Sequence, residues 1–211
     1  VFPFKVNQRR EFIDAIVSCG YDLNWGLEVG SKTEFMAALN YKLSPNALLI
    51  CNGFKDKEFV EMTFLATAMG RNVVMVIEGP DELHMIIDKM KAHRLAEKKV
   101  PSIGLRVKLY SKGSGKWEKS SGENSKFGLT TSELMQALTI IEQANLQDKL
   151  TMLHFHIGSQ ITEIKRFKNA LKEAARVYSK IIKMGFSPEY LNIGGGVGVD
   201  YDGSQTAAQS S

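Results

Sequence analysis

The sequence predicts an α/β chain built on a parallel sheet. Three observations lead there. Short apolar runs rich in β-branched residues recur along the chain, stretches with helical periodicity separate them, and the runs are apolar on both faces. Such strands need helices over the sheet. Seven runs with six helices between them leave two architectures, an open doubly wound sheet or most of an eight-stranded barrel.

The runs fall at residues 2–6, 25–29, 47–51, 73–77, 103–109, 151–157 and 190–193. Between them, Phe59 and Val60 pair with Thr63 and Phe64, and Leu134, Leu138 and Ile141 form one stripe. The clearest stripe is Phe167, Leu171, Ala174, Tyr178 and Ile181, in alternating steps of four and three. Ser31 with Glu34, and Thr130 with Glu133, have the hydroxyl-to-carboxylate spacing of a capping box. No internal repeat or linker divides the chain. The one long irregular stretch, 111–125, is polar and rich in Gly, Ser and Lys, and a loop of that size in a compact domain is usually functional or mobile.

Composition narrows the function classes. The 211 residues suffice for one domain with a sizeable core, and 44% apolar with 24% charged residues is ordinary for a globular protein. The longest apolar runs are strand-sized, which argues against a membrane protein. A net charge of +4 is spread rather than clustered, so no nucleic-acid partner is expected. Cys19 and Cys51 lie in apolar segments without ligand spacing and read as buried free thiols in a reducing compartment. Both ends read as cut, so the chain is expected to be an internal piece of a longer protein.

Polar residues fall in one kind of place. Lys5, Glu28, Asn52, Arg106, His156 and the triplet Gly194, Gly195, Gly196 all sit at or near the C-terminal end of an expected strand. In a parallel barrel those ends converge on the face that carries chemistry. Each residue also has a plain alternative. The glycines can present backbone N–H groups to an anion or simply form a tight turn, and Val199 breaks the dinucleotide spacing. His154 and His156 share one strand face, as ligands would, but no further ligand completes a metal set, and a barrel histidine can be a satisfied core residue. Ser159 can donate to a phosphate. Lys5, between Phe4 and Val6, is expected to face the barrel interior, where burial depresses an amine's pKa and suits it to Schiff-base chemistry; otherwise it is a surface lysine. Arg106 suits an anionic or phenolic oxygen, and Glu34 can be a capping carboxylate only.

The order is what discriminates: lysine on the first strand, acid on the second, then arginine, then His156 with Gly158 and Ser159, then three glycines. Together with Pro3-Phe4-Lys5-Val6-Asn7-Gln8, Gly26-Leu27-Glu28-Val29-Gly30-Ser31-Lys32 and Cys51-Asn52-Gly53-Phe54-Lys55-Asp56, this order resembles the fold-type III, alanine-racemase-like decarboxylases of basic amino acids. Within them the chain is most similar to the biosynthetic arginine decarboxylases, along essentially its whole length. The resemblance implies an incomplete (β/α)8 TIM barrel of about seven βα units over residues 1–211, a preceding strand-rich segment, and a following C-terminal β domain.

The resemblance also implies pyridoxal 5'-phosphate as cofactor, with Lys5 as the Schiff-base lysine and His156 stacked on the ring. Ser159, Gly194, Gly195 and Gly196 would cradle the phosphate, and Glu28, Glu34 and Arg106 would line the site. The implied reaction takes L-arginine to agmatine and carbon dioxide, in the cytoplasm or in a plastid if the parent is a plant protein. It implies a parent that self-associates with shared active sites, and it allows magnesium, for which the sequence offers no carboxylate cluster. Other decarboxylases of the group, for diaminopimelate or ornithine, and a non-catalytic relative are the alternatives. The isolated piece is expected to be inactive or nearly so.

Overall fold

The computed structural model describes residues 1–96, 99–110 and 127–200, so the irregular stretch 111–125 lies outside the described residues. Among these residues seven strands form one parallel sheet: β1 (Phe2–Pro3), β2 (Leu27–Val29), β3 (Leu48–Cys51), β4 (Asn72–Ile77), β5 (Ser102–Arg106), β6 (Leu150–His154) and β7 (Tyr190–Asn192). Their spatial order is their sequence order. A doubly wound sheet reverses strand order partway, so this sheet is the barrel type. Its curl is explicit. Asn192 on β7 donates to Glu28 Oε2 on β2 at 3.2 Å, across 164 residues of chain, which sequential pairing on a flat sheet could not allow.

Among the described residues six α-helices cover the outside: α1 (Arg10–Cys19), α2 (Lys32–Leu39), α3 (Lys57–Ala68), α4 (Pro80–Leu95), α5 (Thr131–Gln143) and α6 (Ile164–Lys183). Local chemistry starts them. Ser31 accepts from the Glu34 N–H, Asp56 from the Phe59 N–H, and Thr130 with Glu133 forms a complete capping box. Pro80 opens α4, where its missing N–H has no consequence.

Side-chain alternation along the strands separates two environments. Leu49, Cys51, Val73, Met75, Ile77, Ile103 and Leu105 face outward and pack against the helices in two large clusters. Ile50, Val74, Val76 and Met152, with Leu48, face inward as a small apolar plug. Gly104, between Val76 and Met152, leaves room for that plug, since a Cβ there would lie 3.1 Å from Val76 and 3.3 Å from Met152.

The expected strand over 2–6 is corrected. Only Phe2 and Pro3 pair with β2, and residues Phe4–Val6 make a turn of 3-10 helix. Phe4 drops into the outer cluster, edge-on to Tyr41 at 6.1 Å, and this pulls the backbone out of the sheet. Lys5 therefore is not a buried interior residue. It is exposed on the turn that leaves β1.

A polar ring at the barrel mouth

Above the apolar plug the same alternation brings polar side chains inward. Glu28 stands on β2, Arg106 on β5, His154 on β6 and Asn192 on β7. Asn52 and Glu78 follow Ile50 and Val76 by two residues, which puts them on the inner face at the ends of β3 and β4. Contacts join the ring. Arg106 Nη1 donates to Glu78 Oε1 at 2.7 Å, His154 Nδ1 lies 3.2 Å from the Asn192 carbonyl, and Asn192 donates to Glu28. Arg106 also lies under the Phe127 ring, 5.4 Å from its centroid.

His156 stands where these groups and the loops meet. Its Nδ1 accepts from the Gly195 N–H at 3.3 Å. Burial first, then the positive charges of Arg106 and Lys5 and the neighbouring His154, push its pKa down to about 4, with Glu28 opposing. Lys5, although solvent-exposed, is thus near enough for its charge to bear on the same imidazole as Arg106 and Glu28. His154 is also pushed down to about 4, by burial first and then by Arg106. Both rings are neutral at pH 7.

The loops after β6 and β7 are zipped together. Ile161 N–H donates to the Gly196 carbonyl at 2.8 Å and Gly198 N–H to the Ile161 carbonyl at 3.0 Å, while Gln160 exchanges two bonds with Val199. Gly196 has φ +95°, and a Cβ there would lie 1.8 Å from the Gly158 carbonyl oxygen. Gly194, at φ +68°, has its N–H on Asn192 Oδ1 at 2.9 Å. A Cβ on Gly195 would meet nothing within 4 Å, so the triplet is open above. Ser159 is exposed beside it. Gly196→Ala is expected to part the two loops and destabilise the chain by more than about 1 kcal/mol. A urea midpoint equal to wild type would refute this.

Of the residues expected from sequence, Lys5, Glu28, Arg106, His156 and the glycines gather at this mouth, with Ser159 on its rim. Glu34 stands apart. Its carboxylate accepts from the Gly30 N–H at 2.8 Å and from Gln8 at 2.9 Å, so it ties the loop after β2 to the chain after β1. Glu78 and Asn192 were not expected. The signal for Glu78 was its step of two from Val74 and Val76; for Asn192, whose role lies across the barrel, there was none.

The donor set fits a planar, anionic group with a phosphate tail. Lys5 offers an amine in the open, His156 a neutral ring face, and Ser159 with the glycine turn a place for oxygens. Beneath them Asn52 Oδ1 is buried with no hydrogen-bond partner among the described residues. No grouping of three His, Cys, Asp or Glu among the described residues is placed to hold a metal ion, so magnesium finds no ligand set there.

Stability should report the buried neutral imidazole of His154. The unfolded chain takes up this proton near pH 6.5 and the folded chain only near 4. Stability is therefore full above 6.5 and falls as pH drops through that window, by up to about 1.4 kcal/mol per pH unit. Urea unfolding at pH 7, 6 and 5 measures the slope. His154→Gln should flatten part of it, and a wild-type slope of zero would refute it.

The sequence profile of the pyridoxal-dependent decarboxylases, pyridoxal-binding domain, matches residues 1–211. Proteins named biosynthetic arginine decarboxylase are similar along the whole chain, at 46% identity in Phocaeicola vulgatus and 48% in Deinococcus radiodurans. The chain spans 33% and 31% of their lengths. The crystal structure of the biosynthetic arginine decarboxylase from Campylobacter jejuni superposes with a TM-score of 0.82 at 40% identity, over 98% of this chain and 33% of that one. A diaminopimelate decarboxylase from M. jannaschii shares the fold, with a TM-score of 0.73 at 23% identity, covering 98% of this chain and 45% of that one. The chain belongs to the pyridoxal-dependent decarboxylases and carries their pyridoxal-binding domain.

Proposed function

We propose that the complete protein bearing this chain decarboxylates L-arginine to agmatine and carbon dioxide with pyridoxal phosphate held at the barrel mouth. The observation that carries the chemistry is the convergence of Glu28, Arg106, His156 and the glycine turn on one mouth, joined by the Arg106–Glu78, Asn192–Glu28 and Gly195–His156 hydrogen bonds, with Lys5 on the turn that leaves β1. The choice of arginine rests on the names of the relatives that match the whole chain.

Lys5 would hold the aldehyde end of the cofactor, His156 its ring face, and Ser159 with Gly194, Gly195 and Gly196 its phosphate. When bound, the group supplies an electron-poor ring that accepts the electron pair left by the departing carboxylate. The chain's own residues set the conditions. Neutral His156 contributes a flat surface without a charge that would oppose an electron-poor ring. Lys5 stands in solvent at the rim, where an incoming aldehyde can reach its side chain. The Glu78 carboxylate fixes the Arg106 guanidinium, so a positive charge stays at the wall of the pocket and attracts oxygen anions. Asn192 fixes the Glu28 carboxylate from the opposite wall.

The 211 residues alone are proposed to turn over slowly or not at all, since β1 and β7 are not paired to each other and one wall of the mouth stays open. The reading carries with it a cytoplasmic setting and a self-associating parent with shared active sites. Incubating the complete protein separately with arginine, ornithine and diaminopimelate tests the substrate. Agmatine formation from arginine, at a kcat/KM well above that for the other two, is the expected result; preferential release of putrescine or lysine would overturn the assignment.

A further inference from the structure

One lysine is buried that the reaction does not use. Lys55, in the loop between β3 and α3, is 0% exposed, although its neighbour Phe54 is 80% exposed. The chain turns so that an aromatic ring stands in water while an ammonium is enclosed. That inversion needs a reason.

The partners of Lys55 supply one. Its Nζ donates to the Gly53 carbonyl at 2.6 Å and to Glu82 Oε1 at 3.4 Å. Glu82, in the first turn of α4, accepts the Lys55 N–H on Oε2 at 3.3 Å and the Glu78 N–H on Oε1 at 2.6 Å. Glu78 Oε1 in turn accepts the Gly53 N–H at 3.2 Å and Arg106 at 2.7 Å. These bonds close a ring through Lys55, Gly53, Glu78 and Glu82, and Arg106 is the member that reaches the mouth. Gly53 is itself fixed, with φ +74° and a Cβ position 2.4 Å from the Gly30 carbonyl.

A buried ion pair is a poor source of stability, because apolar residues of like volume often do as well. Its bonds are directional, however, and here they hold the Glu78 backbone N–H and the Gly53 peptide, whose N–H in turn meets the Glu78 carboxylate that aims Arg106. We propose that Lys55 and Glu82 are positioning residues, a clamp that holds the Glu78–Arg106 pair in register beneath the cofactor. The inference rests on the cofactor reading above.

The test uses the complete protein and three changes. Lys55→Met with Glu82→Leu removes both charges together, so no lone charge is left buried. Thr63→Val is the control. It alters an equally buried contact between α3 and β4, where Thr63 Oγ1 meets Met75 Sδ at 3.1 Å, with no path to Arg106. Glu78→Gln, alone and combined with the apolar pair, completes a cycle. Affinity for pyridoxal phosphate by equilibrium dialysis is read beside kcat and KM.

The apolar pair should fold, bind the cofactor about 10-fold more weakly and lose about 10- to 100-fold in kcat/KM. Adding it to Glu78→Gln should cause little further loss, because both changes release the same arginine. Thr63→Val should leave both readouts unchanged. Wild-type affinity and turnover in the apolar pair would overturn the proposal. So would losses that multiply with those of Glu78→Gln, or an apolar pair that cannot fold, since the clamp would then be only a stability element. Wild-type protein that binds the cofactor but leaves arginine intact would sink the substrate assignment alone, and the clamp would still be judged by cofactor affinity.

Discussion

Lys5→Ala in the complete protein is expected to abolish decarboxylation, with a fall in kcat of about 10³-fold or more, while leaving the fold in place. The two halves of that expectation have separate physical grounds. Lys5 is exposed on a turn, and its side chain makes no hydrogen bond to the sheet among the described residues, so its truncation should leave thermal stability close to wild type. Its amine, in contrast, is the nucleophile of the proposed site, and neither Glu28 nor Arg106 can replace it. Borohydride reduction in the presence of pyridoxal phosphate, followed by digestion, should label the peptide holding Lys5 in wild type and no peptide in the variant. A label on another lysine would move the chemistry elsewhere. A variant that unfolds would mean that the turn matters for a reason its contacts do not reveal.

The second large effect is on stability. Glu78→Leu leaves the Arg106 guanidinium, 17% exposed, without its carboxylate in the barrel interior. Removing one partner of a buried pair is worth about 3 to 5 kcal/mol of destabilisation, because the remaining charge stays desolvated and uncompensated. The Gly53 N–H loses its acceptor in the same step. Adding Arg106→Met should return much of that stability, since an apolar couple replaces an ionic one, but it should not return activity. Chemical unfolding and turnover measured on both variants check the contrast. Recovery of turnover in the double variant would show that Arg106 has no part in the reaction.

How far the sequence reveals this site depends on the residue. The strands over 47–51 and 73–77 are legible because burial on both faces leaves long apolar runs; the run at 190–193 is legible by its apolar residues alone, since Tyr190 and Leu191 are exposed, and the structure places strands within a residue of all three. The first strand misleads. Phe4, Lys5 and Val6 alternate like a strand, but the Phe4 ring is captured by the outer helices and the chain turns there. Lys5 thus lies exposed on the turn after β1 and not on the enclosed strand face that the alternation suggests. Ser31 and Glu34 have capping-box spacing, and half of it forms; the Glu34 carboxylate goes to Gly30 instead of the cap residue. Lys55 beside exposed Phe54 has every local mark of a solvated lysine. Its enclosure depends on Glu82, 27 residues further on, and pairing over that separation leaves no periodic trace. Asn192 is the extreme case, because its carboxylate partner belongs to the other end of the chain.

That contact also has a cost in chain entropy during folding. Bringing residues 164 apart into register requires closure of a very long loop, an entropic step that local helix and hairpin-scale contacts do not share. The hydrophobic layers can form progressively as neighbouring units dock, whereas the wall that pairs Asn192 with Glu28 exists only after the seventh strand has arrived. A chain in which the seventh strand has not yet docked therefore lacks this wall of the mouth, whatever the state of its outer hydrophobic layers.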